Sequence, residues 1–179
     1  MGKVDADSRS ALTPDDWDKL KQAVLQVRFP ILLDLLHLGT TWHTAVVGIA
    51  ELPQFRVMNF PPHAKLAPGR TFGEFTKRLD EGRDPVDDPA FGQNYRKMRP
   101  ILDPVRMRGT PIVVCPSLDG PFTGLEGYTR MSVLISRNAA GESVPREIPI
   151  LIGECSRLPE WHLWGVAGGH PVRTSLCLA

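Results

Sequence analysis

The sequence predicts an α+β fold with an N-terminal helical extension. Three observations lead there. Sixteen glycines and seventeen prolines among 179 residues exceed the roughly 12% of average usage, which requires short elements joined by many turns and argues against a helical bundle. Two short apolar runs, Ile112–Cys115 and Ile148–Ile152, have the continuous apolar character of buried strands. Helical spacing of apolar residues appears elsewhere, in Trp17, Leu20, Val24 and Val27 and again in Phe72, Phe75 and Leu79.

Taken in order, residues 1–12 form a loose tail. Thr13-Pro14-Asp15-Asp16 opens a helix, with a threonine cap, proline at the first helical position and carboxylates at the positive end of the dipole. Pro30 interrupts it, and a second, nearly all-apolar helix runs from Ile31 to Leu38 and stops at Gly39. Thr44 to Ala50 reads as a strand from its β-branched content, and Gln54 to Met58 as another. Asn59 to Arg70, with three prolines and a glycine, reads as loop. Thr71 to Leu79 is an amphipathic helix. The five acids and two prolines between Asp80 and Pro89 make an exposed loop, and Tyr95 to Leu102 is helical. Between the two buried strands, Pro121 to Ile135 reads as strand, glycine turn, helix. The tail beyond Ile152 shows no periodicity, and there is no internal repeat.

Composition narrows the function classes. Twenty acids balance 21 bases for a net charge of +1, which excludes a generally basic nucleic-acid coat and confines any DNA contact to a local patch. Three cysteines, at 115, 155 and 177 without a Cys-x-x-Cys pair, speak against a disulfide framework or zinc knuckle and for reduced, cytoplasmic thiols. No apolar run reaches the 18 residues of a membrane span, so a membrane partner is not expected, and the charged first dozen residues lack the apolar core of a secretion signal. The five histidines show no ligand spacing, and neither a Gly-x-Ser-x-Gly elbow nor a Gly-x-x-x-x-Gly-Lys loop is present.

The segment Leu125-Glu126-Gly127-Tyr128-Thr129-Arg130-Met131 carries the chemistry. A strand that turns straight into a helix aims the first helical N–H groups out of the sheet edge, where the helix dipole adds positive charge. Glycine lets an anionic oxygen approach the backbone. Arg130, in the first turn, can fold back and offer a forked contact to a phosphate, and Thr129 can add a hydroxyl. Glu126 stands just before the turn, placed to hold magnesium or accept a proton. A Gly-x-x-Arg turn taken alone also serves as plain turn chemistry.

The order of segments from Thr110 to Glu154 resembles the core of the ParB/sulfiredoxin-like superfamily. Thr-Pro-Ile-Val-Val-Cys leads to the Gly-x-x-Arg turn and helix, and Glu-Ile-Pro-Ile-Leu-Ile-Gly follows. The resemblance implies a small mixed sheet flanked by helices as the core over 41–155, preceded by tail and helices in 1–40 and followed by an extension over 156–179. It implies a nucleoside triphosphate, ATP or CTP with Mg2+, whose phosphates lie on Gly127, Tyr128, Thr129 and Arg130, with Glu126 handling metal or proton. Hydrolysis or phosphate transfer would be the activity, and the protomer could pair as a homodimer. Three departures limit it. Tyr128 stands where sulfinic acid reductases carry their cysteine, so that redox reaction is not expected. No imidazole occupies the turn, and 155–179 is too short for the helix-turn-helix region of partition proteins.

A second reading is a DNA-associated module of partition, plasmid or phage type. Arg96, Lys97, Arg99, Arg106 and Arg108, opposed only by Asp103, could track a phosphate backbone, line a nucleotide pocket, or form a solvated face. Gly69-Arg70-Thr71 reads as an ordinary helix cap before it reads as an anion site. Cys115 and Cys155 read as buried small hydrophobes, and Trp161 and Trp164 as tail residues packed onto the core.

Overall fold

The computed structural model describes residues 35, 38–86, 88–101, 109–164 and 177–178. Among the described residues five strands form one mixed sheet: β1 (Thr41–Gly48), β2 (Ile112–Cys115), β3 (Thr123–Glu126), β4 (Glu147–Glu154) and β5 (Cys177–Leu178). Among the described residues four whole α-helices accompany it: α1 (Pro61–Leu66), α2 (Phe72–Asp80), α3 (Pro89–Ile101) and α4 (Tyr128–Ala139). The strand order is β3-β2-β4-β1-β5. β2 runs parallel to β4, and the other neighbours are antiparallel. This is the expected α+β arrangement. The helices expected between residues 13 and 38 lie outside the described residues, apart from Leu35, which is helical and fully buried.

Local chemistry explains most elements. β2 is buried along its whole length, as a continuous apolar strand between two neighbours must be. β4 alternates at its start, with Glu147 and Pro149 exposed and Ile148 and Ile150 buried, and then loses the alternation as Leu151, Ile152 and Gly153 are all covered. One face of the sheet is therefore solvated near the β4 N-terminus and both are packed further along. Gly153 is part of the reason: a Cβ there would stand 2.8 Å from the Trp42 ring, so the glycine lets the buried indole lie flat on the strand.

At α2 the Thr71 hydroxyl accepts from the Glu74 N–H at 3.2 Å, and the Glu74 carboxylate accepts from the Gly69 N–H at 2.6 Å. Thr71 thus caps the helix, and Glu74 reaches back to the loop two residues before the cap. The anion at this helix start is thus the chain's own Glu74, and the ordinary-cap reading of Gly69-Arg70-Thr71 holds. Arg70, at φ 57°, donates through Nη2 to the carbonyls of Val57 and Trp164 at 3.0 and 2.9 Å. Burial and then the nearby Arg56 charge hold its guanidinium below the usual arginine range. Arg56 itself lies over the Trp164 ring, 5.8 Å from its centroid. Trp161 and Trp164 are both buried, so this part of the tail does pack onto the core.

Four expectations need correction. Gln54–Met58 is not a strand: a 3₁₀ helix runs Ile49–Gln54, and beyond it Arg56 alone bridges, to Thr71 on one side and Thr123 on the other. Pro53 within that stretch has no N–H to give a ladder. The loop expected over Asn59–Arg70 contains α1, because Pro61 and Pro62 occupy helical positions that need no donor. α3 begins at Pro89, six residues before the expected start. The first strand begins at Thr41, three residues early, and ends at Gly48, where it pairs fully with β4.

Candidate functional site

The turn between β3 and α4 is built as its residues suggest. β3 ends at Glu126, Gly127 adopts φ 89° and ψ 18°, and α4 starts at Tyr128. That left-handed conformation is open to glycine at little cost. A Cβ at Gly127 would also stand 3.0 Å from Pro111 Cβ and 3.4 Å from Arg130 Nη2. The Arg130 guanidinium therefore folds back over the turn, and it reaches further: a Cβ on Gly109 would come within 2.5 Å of Arg130 Nη1. Gly109, at φ 80°, was not singled out in the sequence. The signal for it is a glycine two residues ahead of the proline that leads into β2.

Electrostatics at the turn combine a cation and an acid. Arg130 Nη2 lies 3.7 Å from Glu126 Oε1, with side-chain exposures of 19% and 33%. Burial lowers the Arg130 guanidinium from its ordinary value, and Glu126 opposes that shift. At that separation the carboxylate offsets part of the guanidinium's charge. Thr129 is half-buried at the same turn.

Tyr128 plays a different part. Its ring is 3% exposed and lies among His63, Phe72, Phe75 and Phe91, with centroids 4.7 Å away for the first two. The phenol accepts from the Met58 N–H at 2.7 Å and donates to the Gly124 carbonyl at 3.1 Å. The side chain is a core anchor, and what Tyr128 can present to a ligand at the turn is its backbone.

Of the basic stretch, Arg96 and Arg99 are engaged away from the turn. Arg96 holds Asp84 with two hydrogen bonds, at 2.7 and 3.0 Å, which keeps the Asp84 carboxyl below its usual range. Arg99 donates to Ser136 Oγ at 2.8 Å and to Glu142 at 3.1 Å, and Ser136 and Tyr95 both donate to Asp80. Ser136 lies eight residues into α4, about 12 Å along the axis from its start. Arg99 therefore ties α3 to the far half of α4. Lys97 is exposed. Arg106 and Arg108 lie outside the described residues.

A cavity of about 420 Å³ opens between α2 and α4, lined among others by Thr76, Lys77, Asp80 and Ile135. Cys115 and Cys155 are buried free thiols, and burial, then the Glu154 and Cys155 charges, push the Cys115 thiol up. That agrees with their reading as hydrophobes and disfavours nucleophilic roles. Among the described residues no group of three or more His, Cys, Asp or Glu could hold a metal, and no helix is long and apolar enough to cross a membrane. No family model, curated protein or solved structure matches the chain.

Proposed function

We propose that the chain is a ParB/sulfiredoxin-like domain that binds a nucleoside triphosphate, ATP or CTP with Mg2+, on the turn formed by Gly127, Tyr128, Thr129 and Arg130. The observation that carries the reading is the Arg130 guanidinium, folded back over Gly109 and Gly127 at the start of α4. Helix dipole, first-turn amides and a forked cation then converge on one place, which is the donor set a phosphate selects. The mixed sheet flanked by helices, with β3, turn and α4 between the parallel β2 and β4, is the coarse architecture the resemblance implies.

Magnesium would come to this site only with the phosphates, since no metal-holding group stands among the described residues. Glu126 is a single half-exposed carboxylate, too little for a protein-built cage but suited to an ion held mainly by phosphate oxygens and water. Such an ion would neutralise charge on the phosphates. Glu126 would hold it, Arg130 would fork an equatorial oxygen, and the backbone of 127–130 would cradle the chain of phosphates. Hydrolysis or phosphate transfer would draw on the same positioning and charge neutralisation.

A thermal-shift panel of ATP, CTP, GTP and ADP with magnesium tests the proposal. A ligand at a hundred times its Kd adds about 2.7 kcal/mol, which at about 2–4 °C per kcal/mol for a chain of this size raises Tm by about 5–10 °C. Arg130→Ala removes the shift and Arg130→Lys keeps part of it. No stabilisation by any member refutes the reading. The DNA-associated alternative is tested alongside: salt-dependent duplex binding that weakens in Arg106→Ala/Arg108→Ala, without any nucleotide response, would put that module in its place.

A further inference from the structure

Helices α2 and α4 lie side by side and run in the same direction. The Phe72 ring meets the Tyr128 ring at 4.7 Å, and further along the same two helices Ser136 donates to Asp80 at 2.9 Å. Their last turns therefore end together at the cavity of about 420 Å³, which residues of both helices line.

The polar groups of that cavity select one kind of guest. Asp80 is held in place from within: Tyr95 and Ser136 both donate to its Oδ1, at 2.6 and 2.9 Å, and Arg99 stands 3.8 Å from the same atom. The other carboxylate oxygen takes none of these donors, and the side chain is 41% exposed. Thr76 also lines the cavity. It is 2% exposed, and among the described residues its hydroxyl has no hydrogen-bond partner. A buried hydroxyl in that condition gains from a donor that a guest brings. Both helices add the negative ends of their dipoles. Of the cations in those last turns, Arg78 is engaged by Glu81 and Arg137 by Glu142, and Lys77 is exposed at the rim.

We propose that the cavity between α2 and α4 binds an organic ammonium ion with a small apolar body. An ammonium group carries donors and no acceptor. It gives one hydrogen to the outer oxygen of Asp80 and another to the Thr76 hydroxyl, while the apolar body packs on Ile135 and Ala139. A carboxylate guest would meet Asp80 and two helix C-termini at once, and a neutral guest would forgo the charge-assisted bond. Ser136 stands about 12 Å along α4 from the glycine turn, so this inference does not rest on the phosphate reading.

Benzylammonium, benzyl alcohol and benzoate are the probes, alike in the ring and different in the head group. Each is titrated into the full 15N-labelled chain and followed by amide chemical shifts. Benzylammonium should shift residues 73–81 and 135–139 and bind about tenfold more tightly than benzyl alcohol, as one charge-assisted hydrogen bond allows. Benzoate should leave those residues unmoved. Asp80→Asn keeps an acceptor for Tyr95 and Ser136 and removes the charge; it should weaken benzylammonium about tenfold and leave benzyl alcohol almost unchanged. Thr76→Val keeps the shape and removes the hydroxyl; it should weaken benzylammonium about threefold without lowering Tm, since no internal hydrogen bond is lost. Lys77→Ala removes a competing cation and should tighten benzylammonium about twofold. Melting of each variant without probe verifies the fold. No benzylammonium shifts at these residues, equal affinity for the three probes, or unchanged benzylammonium affinity in both Asp80→Asn and Thr76→Val overturns the proposal.

Discussion

Tyr128→Phe separates the structural work of the turn from its proposed chemistry. The substitution deletes one oxygen and leaves the ring, so the contacts with His63 and Phe72 persist and no side-chain-sized cavity opens. What is lost is the acceptor for the Met58 N–H, bonded at 2.7 Å, and the donor to the Gly124 carbonyl at 3.1 Å. Met58 and Gly124 are both buried, so water does not readily replace the phenol. A buried group stripped of its partner costs about 1–3 kcal/mol, which for a chain of this size lowers Tm by about 2–12 °C. Urea denaturation should show a reduced midpoint with an unchanged m-value. Tyr95→Phe is the internal comparison. Its phenol donates to Asp80 at 2.6 Å, but Asp80 is exposed and also receives Ser136, so the expected loss stays below about 1 kcal/mol. Equal costs for the two tyrosines, or a stable Tyr128→Phe protein that has lost nucleotide binding, would refute the assignment of Tyr128 to the core.

Other outcomes follow from the same contacts. Gly127→Ala places a Cβ at φ 89° and within 3.0 Å of Pro111, and should destabilise by about 1–3 kcal/mol; an unchanged urea midpoint would contradict the left-handed turn. Thr71→Ala removes the acceptor for the Glu74 N–H and should cost about 1 kcal/mol, measurable in the same titration. Cys115 should resist alkylation in the native protein and react on unfolding, read by peptide mass mapping; rapid native labelling would contradict its burial. Because burial raises the Cys115 thiol above its ordinary 9.0, the fold favours the protonated form. That contribution is complete below about pH 9 and declines as pH rises beyond it, because the unfolded thiol ionises first. Stability of Cys115→Ala should therefore fall less steeply between pH 9 and 10.5 than that of the wild type.

How much of this was legible without coordinates depends on distance along the chain. The Thr71 cap, the buried β2 and the Gly127 turn are written in residues within a helical turn or a short strand of one another, and local sterics and hydrogen bonding are enough to specify them. The expected return of Arg130 over the turn is of the same kind, since only two residues separate it from Gly127. α1 escaped because three prolines and a glycine read as loop, although proline is acceptable at the first positions of a helix.

Tertiary structure decided the rest. Whether Tyr128 faces a ligand or the core depends on Met58, 70 residues away, and on an aromatic cluster gathered from α1, α2 and α3. Whether Arg99 serves a nucleic acid or a helix contact depends on Ser136, 37 residues away, and on Glu142. The pairing of Cys177–Leu178 with β1 likewise has no local signature. Composition and short-range pattern determine which elements form, because their energetics are settled among neighbours. Which side chains are used up inside the fold, and which are left facing solvent, is settled only when distant segments compete for the same donors, acceptors and apolar surface.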